Sequence, residues 1–225
     1  PLVRGAGMAR IEFPLERAAL LVVELQNDIV HESNIGKRGI GVGYPAGIHL
    51  SFDAGQMRLN SLWSGGFIEA SSLWRGQGSG QARILGKDTT TFPSGPAFAV
   101  LATPETAWPV PDPTPRPSPH SFTGYTLDAQ QRPTLRYSVE GFPVEDFFIE
   151  RRDPAGKVFL ERTLRFPATP PAGMHFRVAA DKIIEPRGAN EFAVGQNLCV
   201  RLPATPQRFW PTANSLAPRG SMILS

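Results

Sequence analysis

The sequence predicts an all-β fold, an antiparallel β-sandwich or a related two-sheet arrangement. Three observations carry that prediction. Apolar and polar residues alternate with period two in several segments beyond Gly39, as in Ile48–Asp53 and Thr134–Glu140. Turn chemistry recurs between those segments, for example Asp53-Ala-Gly-Gln and Asp153-Pro-Ala-Gly156. The chain carries 23 prolines and 22 glycines in 225 residues, which leaves little room for long helices.

The elements follow in order. Leu15 to Ser33 (LERAALLVVELQNDIVHES) reads differently from the rest: Ala18–Leu25 is apolar without alternation, as in a parallel strand covered on both faces. Residues 1–38 are therefore set apart as an added strand or a poorly ordered segment. Within a first β region, 39–102, Ile48, Leu50 and Phe52 alternate with His49, Ser51 and Asp53. Met57, Leu59, Ser61 and Trp63 then share a face while Arg58 and Asn60 point away, so Ile48–Trp63 reads as a hairpin. Gly65-Gly66 is expected to break the next strand, Phe67–Ala70. The glycines at 76, 78, 80 and 86 mark a loop that turns sharply or approaches something closely. Ala97–Leu101 is a further short strand.

Thr103–His120 has prolines at 104, 109, 111, 113, 115, 117 and 119, which forbid sheet pairing and favour an extended polyproline II connector. A ligand for a proline-binding module is the alternative use of such a rod. The second β region, 121–225, packs with the first as one domain. There Leu135, Tyr137 and Val139 oppose Thr134, Arg136, Ser138 and Glu140, and Val158, Leu160, Leu164 and Phe166 share a face that only Arg162 interrupts. Leu127–Pro133 and Asp153–Gly156 supply the turns, and His175–Ala180, Glu191–Val194 and Leu198–Leu202 extend the meander.

Composition narrows the function classes. Net charge is +3 and the pI about 9.4, carried mostly by arginines scattered along strands. Scattered arginines read as a solvated sheet face, not as the basic stripe a nucleic acid wants. No apolar stretch approaches the ~20 residues of a membrane span, and Ala18–Val23 is too short for a signal peptide. The single cysteine, Cys199, excludes an internal disulfide and any multi-cysteine metal site. His31, His49, His120 and His175 show no metal-ligand spacing. Gly39-Ile-Gly-Val-Gly43 lacks the following helix that a phosphate cradle needs.

Two constellations bear on function. In Leu25-Gln26-Asn27-Asp28, an aspartate follows the apolar run, where open α/β sheets place catalytic groups. Residues 10–38 resemble the opening of isochorismatase-like cysteine hydrolases, in which the matching aspartate serves a nucleophilic cysteine. The resemblance implies a role for Asp28, with Cys199 as the nucleophile. The rest of the pattern is missing: no helix follows Asp28, and Pro203 and Pro206 stand where a helix N-terminus should activate the thiol. The bland reading of Cys199 is a small buried hydrophobe.

The second block runs from IGVGYP at Ile40–Pro45 through IHLSFD at 48–53, LWSGGFI at 62–68, WRGQG at 74–78 and FTGYTLD at 122–128 to PTLRY at 133–137. In order, these segments resemble the β-rich region of large secreted proteins of planctomycete-type bacteria, found beside c-type cytochrome or sugar-dehydrogenase-like modules. The resemblance spans about residues 39–200 and implies a periplasmic or secreted, non-catalytic accessory or binding module. A c-type cytochrome module or a saccharide is the implied partner. No C-x-x-C-H occurs, so this sequence attaches no c-type haem and no cofactor is expected in it.

Trp63, Trp74, Phe67 and Tyr125, with His49, Asp53 and Arg75, are candidates to line a saccharide surface, because sugar rings stack on aromatic faces. The competing assignment makes Trp63 and Phe67 core aromatics. Glu145, Asp146 and Glu150 are either an acid–base set or edge carboxylates that keep a sheet hydrated. A hybrid reading frame with no function as a unit is the third reading.

Overall fold

Two facing antiparallel sheets build the molecule, as the alternation predicts. The computed structural model describes residues 19–22, 38–71, 82–103, 106–109, 120–202 and 222–224. The first sheet has strand order β1-β2-β3-β4-β5: β1 Ala19–Val22, β2 Gly39–Gly43, β3 Ile48–Asp53, β4 Arg58–Glu69 and β5 Arg83–Thr91. A two-stranded sheet pairs β6 Phe98–Val100 with β11 Met174–Phe176. The remaining eight strands are β7 Ser121–Leu127, β8 Pro133–Val139, β9 Phe142–Arg152, β10 Val158–Arg165, β12 Ile184–Pro186, β13 Glu191–Val194, β14 Leu198–Arg201 and β15 Met222–Leu224. They form one sheet of order β12-β13-β14-β15-β10-β9-β8-β7.

The second sheet follows its sequence closely. In β8, Leu135, Tyr137 and Val139 are buried while Arg136 is exposed, and the alternation continues through β9. Asp153 builds the β9–β10 turn: its carboxylate accepts from Lys157 N at 2.8 Å and its carbonyl from Gly156 N at 2.9 Å. Gly156 sits at φ +82°, a conformation glycine adopts without strain. The meander does not simply extend, however. His175 lies in β11, outside the large sheet, and β15 inserts between β14 and β10.

The first sheet departs from its reading at three places. Ala18–Leu25 reads as a parallel strand covered on both faces, yet β1 is an edge strand, antiparallel to β2 with Leu20 opposite Val42. Gly65-Gly66 does not end a strand: β4 runs through both glycines, with register shifts between Leu62 and Ser64 and between Gly65 and Ile68. The third departure sets up the buried polar chemistry. Phe52 pairs with Leu59 but Ser51 with Ser61, so Asn60 is an extra residue, a β-bulge. One added residue inverts the alternation beyond it. Leu59 and Leu62 thereby share the face of Phe52 and Leu50, while Ser61 and Trp63 join Asp53, Ser51 and His49 on the other.

The two sheets close over one apolar core. It holds Ile40, Val42, Leu50 and Phe52 from the first sheet and Leu135, Tyr137, Phe148, Leu160 and Val200 from the second. Phe52 meets Tyr137 at 5.4 Å and Phe122 at 6.2 Å between ring centroids. Tyr44 Oη donates to Phe148 O at 3.1 Å. Phe98 of β6 packs on Phe176 at 4.7 Å and Phe166 at 6.1 Å, so the small sheet packs into the same core. At about 25 cal/mol per Å² of apolar surface, such a shared core is the main term holding the layers together.

Candidate functional site

The residues nominated from the sequence do not form one surface. Trp63 is 2% exposed: its Nε1 donates to Gly66 O at 2.9 Å and its ring lies near parallel to Phe67 at 6.3 Å. His49 packs against both rings, at 5.8 Å from Trp63 and 5.3 Å from Phe67. A stacked sugar needs an open ring face, and Trp63 offers none. Burial and polar partners likewise occupy His49 and Asp53. Asp53 Oδ1 accepts from the amides of Gly55 (2.8 Å) and Gln56 (3.2 Å), holding the β3–β4 turn. Tyr125 is exposed, on β7 at the edge of the other sheet. Trp74, Arg75 and Asp28 lie outside the described residues.

Cys199 is half-buried in β14, opposite Ala193 of the neighbouring strand β13. His49 holds a defined tautomer: Nδ1 accepts from Tyr44 N at 3.2 Å and Nε2 donates to Gly65 O at 2.8 Å. Burial pulls its pKa below the ordinary value, only partly offset by the Gly65 carbonyl. It reads as a structural pin.

Asp146 belongs to neither alternative weighed for it. It is fully buried on β9 and pairs with Arg162 on β10, 1% exposed, whose Nε donates to Oδ1 at 2.9 Å and whose Nη2 donates to Oδ2. Tyr137 Oη donates to the same carboxylate at 3.1 Å. Burial and then the Asp146 charge push the Tyr137 hydroxyl well above its usual pKa, keeping it a neutral donor. Burial alone opposes charge on Arg162, but Asp146 outweighs it and holds the guanidinium above its ordinary value. The guanidinium also lies 4.9 Å from the ring centres of both Phe148 and Phe176. This explains the one polar residue on the inward phase of β10.

A second buried arginine stands nearby. Arg58 opens β4 beside Asp53, Nη2 to Oδ2 3.8 Å. Its Nε donates to Gln56 Oε1 (2.9 Å), Nη2 to Asn60 Oδ1 (2.8 Å) and Nη1 to Phe92 O (2.9 Å). The bulged Asn60 is thus used twice, since its Nδ2 reaches Ser51 Oγ at 3.2 Å and Ser61 Oγ at 3.1 Å.

Between these two arginines and a third, Arg177, lies a cavity where β4, β10 and the segment after β11 converge. Phe92, Gly95 and Ala97 form its other wall, and its volume is about 20 Å³, room for little more than one water. Arg58 and Arg162 are buried, whereas Arg177 is partly exposed. Arg177 Nη2 donates to Ser94 O at 2.8 Å, and the guanidinium sits 5.0 Å over Trp108, whose Nε1 donates to Pro96 O at 3.0 Å. Burial, then the Arg58 charge, lowers the Arg177 pKa to about 10, so it stays cationic at neutral pH. Among the described residues Arg58 and Arg162 each have a carboxylate and Arg177 has none. No described group of three or more His, Cys, Asp or Glu is placed to hold a metal ion.

The sequence marks Arg162 as an interruption and only turns Arg58 away from the Leu59 face, while nothing in it singles out Arg177. The signal for Arg58 was hidden by the bulge, which changes which neighbours share its face.

A family model described as a domain of unknown function (DUF6797) matches residues 50–146, less than half of the chain. The match runs from β3 to β9 and includes Asp53, Arg58 and Asp146, while Arg162 and Arg177 lie beyond it. No curated protein and no solved structure matches the chain.

Proposed function

We propose that the chain is a non-catalytic binding module whose ligand contact is the arginine-lined cavity. The observation that carries this reading is the partly exposed Arg177, cationic and without a carboxylate among the described residues, standing over two buried arginines that have one each. A cation held by a carbonyl and an indole, and left short of an anion, is arranged to bind rather than to shuttle protons. The surroundings agree, because the apolar walls Phe92 and Ala97 lower the local dielectric and strengthen a charge contact.

The resemblance of residues 39–200 to β-rich regions of secreted proteins supports reading this module as part of an extracytoplasmic electron-transfer assembly, next to a c-type cytochrome or facing a saccharide. The basic chain, net +3, suits an acidic partner surface. The cysteine-hydrolase reading gains nothing from β1, which lies at the edge of an antiparallel sheet. No described helix is long and apolar enough to cross a membrane.

The test is a calorimetric binding screen of small anions, neutral saccharides and a purified c-type cytochrome against wild type and Arg177→Gln. The reading expects at least one binder that depends on Arg177. It fails if every binder is indifferent to that substitution, or if the chain hydrolyses amides in a Cys199-dependent reaction.

A further inference from the structure

We propose that the arginine cavity recognises a single carboxylate group, with Arg177 as the side chain that grips it. This rests on the binding-module reading and names its ligand class.

Three features select a carboxylate. The first is charge. Asp53 and Asp146 already match Arg58 and Arg162, so of the three arginines lining the cavity only Arg177 lacks a described carboxylate. A monoanion balances it, whereas a phosphate dianion overshoots and meets the repulsion of the two aspartates behind the arginines.

The second is size. A cavity of about 20 Å³ takes one oxygen-sized group, with the rest of the ligand left at the mouth. A carboxylate meets that condition with one oxygen inside and its partner outside.

The third is donor geometry. Arg177 commits Nη2 to Ser94 O, and no described acceptor takes Nε or Nη1. Nη2 keeps a second hydrogen, which with Nε or Nη1 forms the planar fork that carboxylates accept in bidentate fashion. Trp108 and Ser94 hold that fork in place: the indole lies 5.0 Å from the guanidinium carbon and is itself tied to Pro96 O. Trp108 is a positioning residue, since it acts through Arg177. The Arg58 charge that lowers the Arg177 pKa is the same repulsion a bound anion would relieve.

Acetate is the probe, titrated into the full chain by calorimetry at constant ionic strength, with chloride, sulfate and phosphate as parallel arms. Acetate should bind, and Arg177→Gln should weaken it about 10-fold or more, the loss expected for a charged hydrogen-bonded contact. Arg177→Lys keeps the cation without the fork and should restore only part of the affinity. Trp108→Leu should weaken acetate with a smaller effect and leave the preference among anions unchanged. The thermal midpoint of each variant, without ligand, shows that it is folded.

Arg177-dependent binding of sulfate or phosphate in preference to acetate overturns the carboxylate while keeping the binding site. Full rescue by Arg177→Lys, or equal binding of chloride, overturns the fork. If only a neutral saccharide or a cytochrome binds through Arg177, the module reading stands and this inference falls. If no probe depends on Arg177, both fall.

Discussion

Removing Arg162 while keeping Asp146 should be among the most damaging single changes in the described core. Arg162→Met retains a flexible apolar side chain between Phe148 and Phe176, so packing changes little. What remains is a carboxylate, 0% exposed, with Tyr137 Oη as its one side-chain donor among the described residues. Stripping one partner from a buried ion pair costs about 3–5 kcal/mol. At roughly 2–4 °C per kcal/mol for a chain of this size, the thermal midpoint should drop by about 6–20 °C. Replacing the whole set behaves differently. Asp146→Leu with Arg162→Met strands the Tyr137 hydroxyl, an unmet donor costing about 1–3 kcal/mol. Adding Tyr137→Phe removes that donor, and the triple variant should return to within about 1–2 kcal/mol of wild type. Urea and thermal unfolding of the single, double and triple variants measure this. A loss under about 1 kcal/mol for Arg162→Met, or a triple variant no better than the single, would refute a buried, mutually dependent triad.

Three further outcomes are expected. His49 has a lowered folded pKa, so it stays neutral in the fold while the unfolded chain takes up a proton near pH 6.5. Its contribution is intact above that pH and lost on acidification through the folded pKa, because protonated Nδ1 can no longer accept from Tyr44 N. Stability measured from pH 7.5 to 5 should fall, and His49→Asn should flatten that wing. Gly86→Ala would place a methyl 2.3 Å from both Ser64 O and Trp63 Cδ1, forcing β4 and β5 apart. Its unfolding free energy should fall by about 2–3 kcal/mol, and a loss under about 0.5 would show that the strands yield freely. Burial raises the Glu150 pKa against Arg132 and Arg152, and Oε2 has no hydrogen-bond partner among the described residues. A raised pKa stabilises the fold at low pH and is lost as pH rises, so Glu150→Met should raise the thermal midpoint at pH 7 and lose that gain near pH 4.

The second sheet was the more legible because its central strands β8, β9 and β10 keep the period-two alternation of burial along most of their length. Leu135, Tyr137 and Val139 sit where alternation puts them, and Asp153 and Gly156 turn where their chemistry demands. The first sheet was obscured by Asn60. A bulge adds a residue without any compositional mark, and it moved Trp63 from the face of Leu59 to that of His49. Trp63 thus became part of an interior cluster, not a sugar platform. The close approach expected of the glycine-rich stretch is real at Gly86, while residues 72–81 lie outside the described part. The cavity was illegible for another reason. Its arginines come from β4, β10 and the segment after β11, over a hundred positions apart between Arg58 and Arg177, and only the packed sheets bring them together.

The interposition of β15 has a consequence for how the chain is made. Met222–Leu224 lies between β10 and β14, with Leu224 opposite both Leu160 and Val200. On a ribosome β10 and β14 emerge first, each with an unsatisfied flank, and stay apart until the later stretch arrives. During that delay both flanks are open templates for a neighbouring nascent chain. Shortening the protein ahead of residue 222 should therefore show itself first as precipitation during synthesis, before any lost binding is measured.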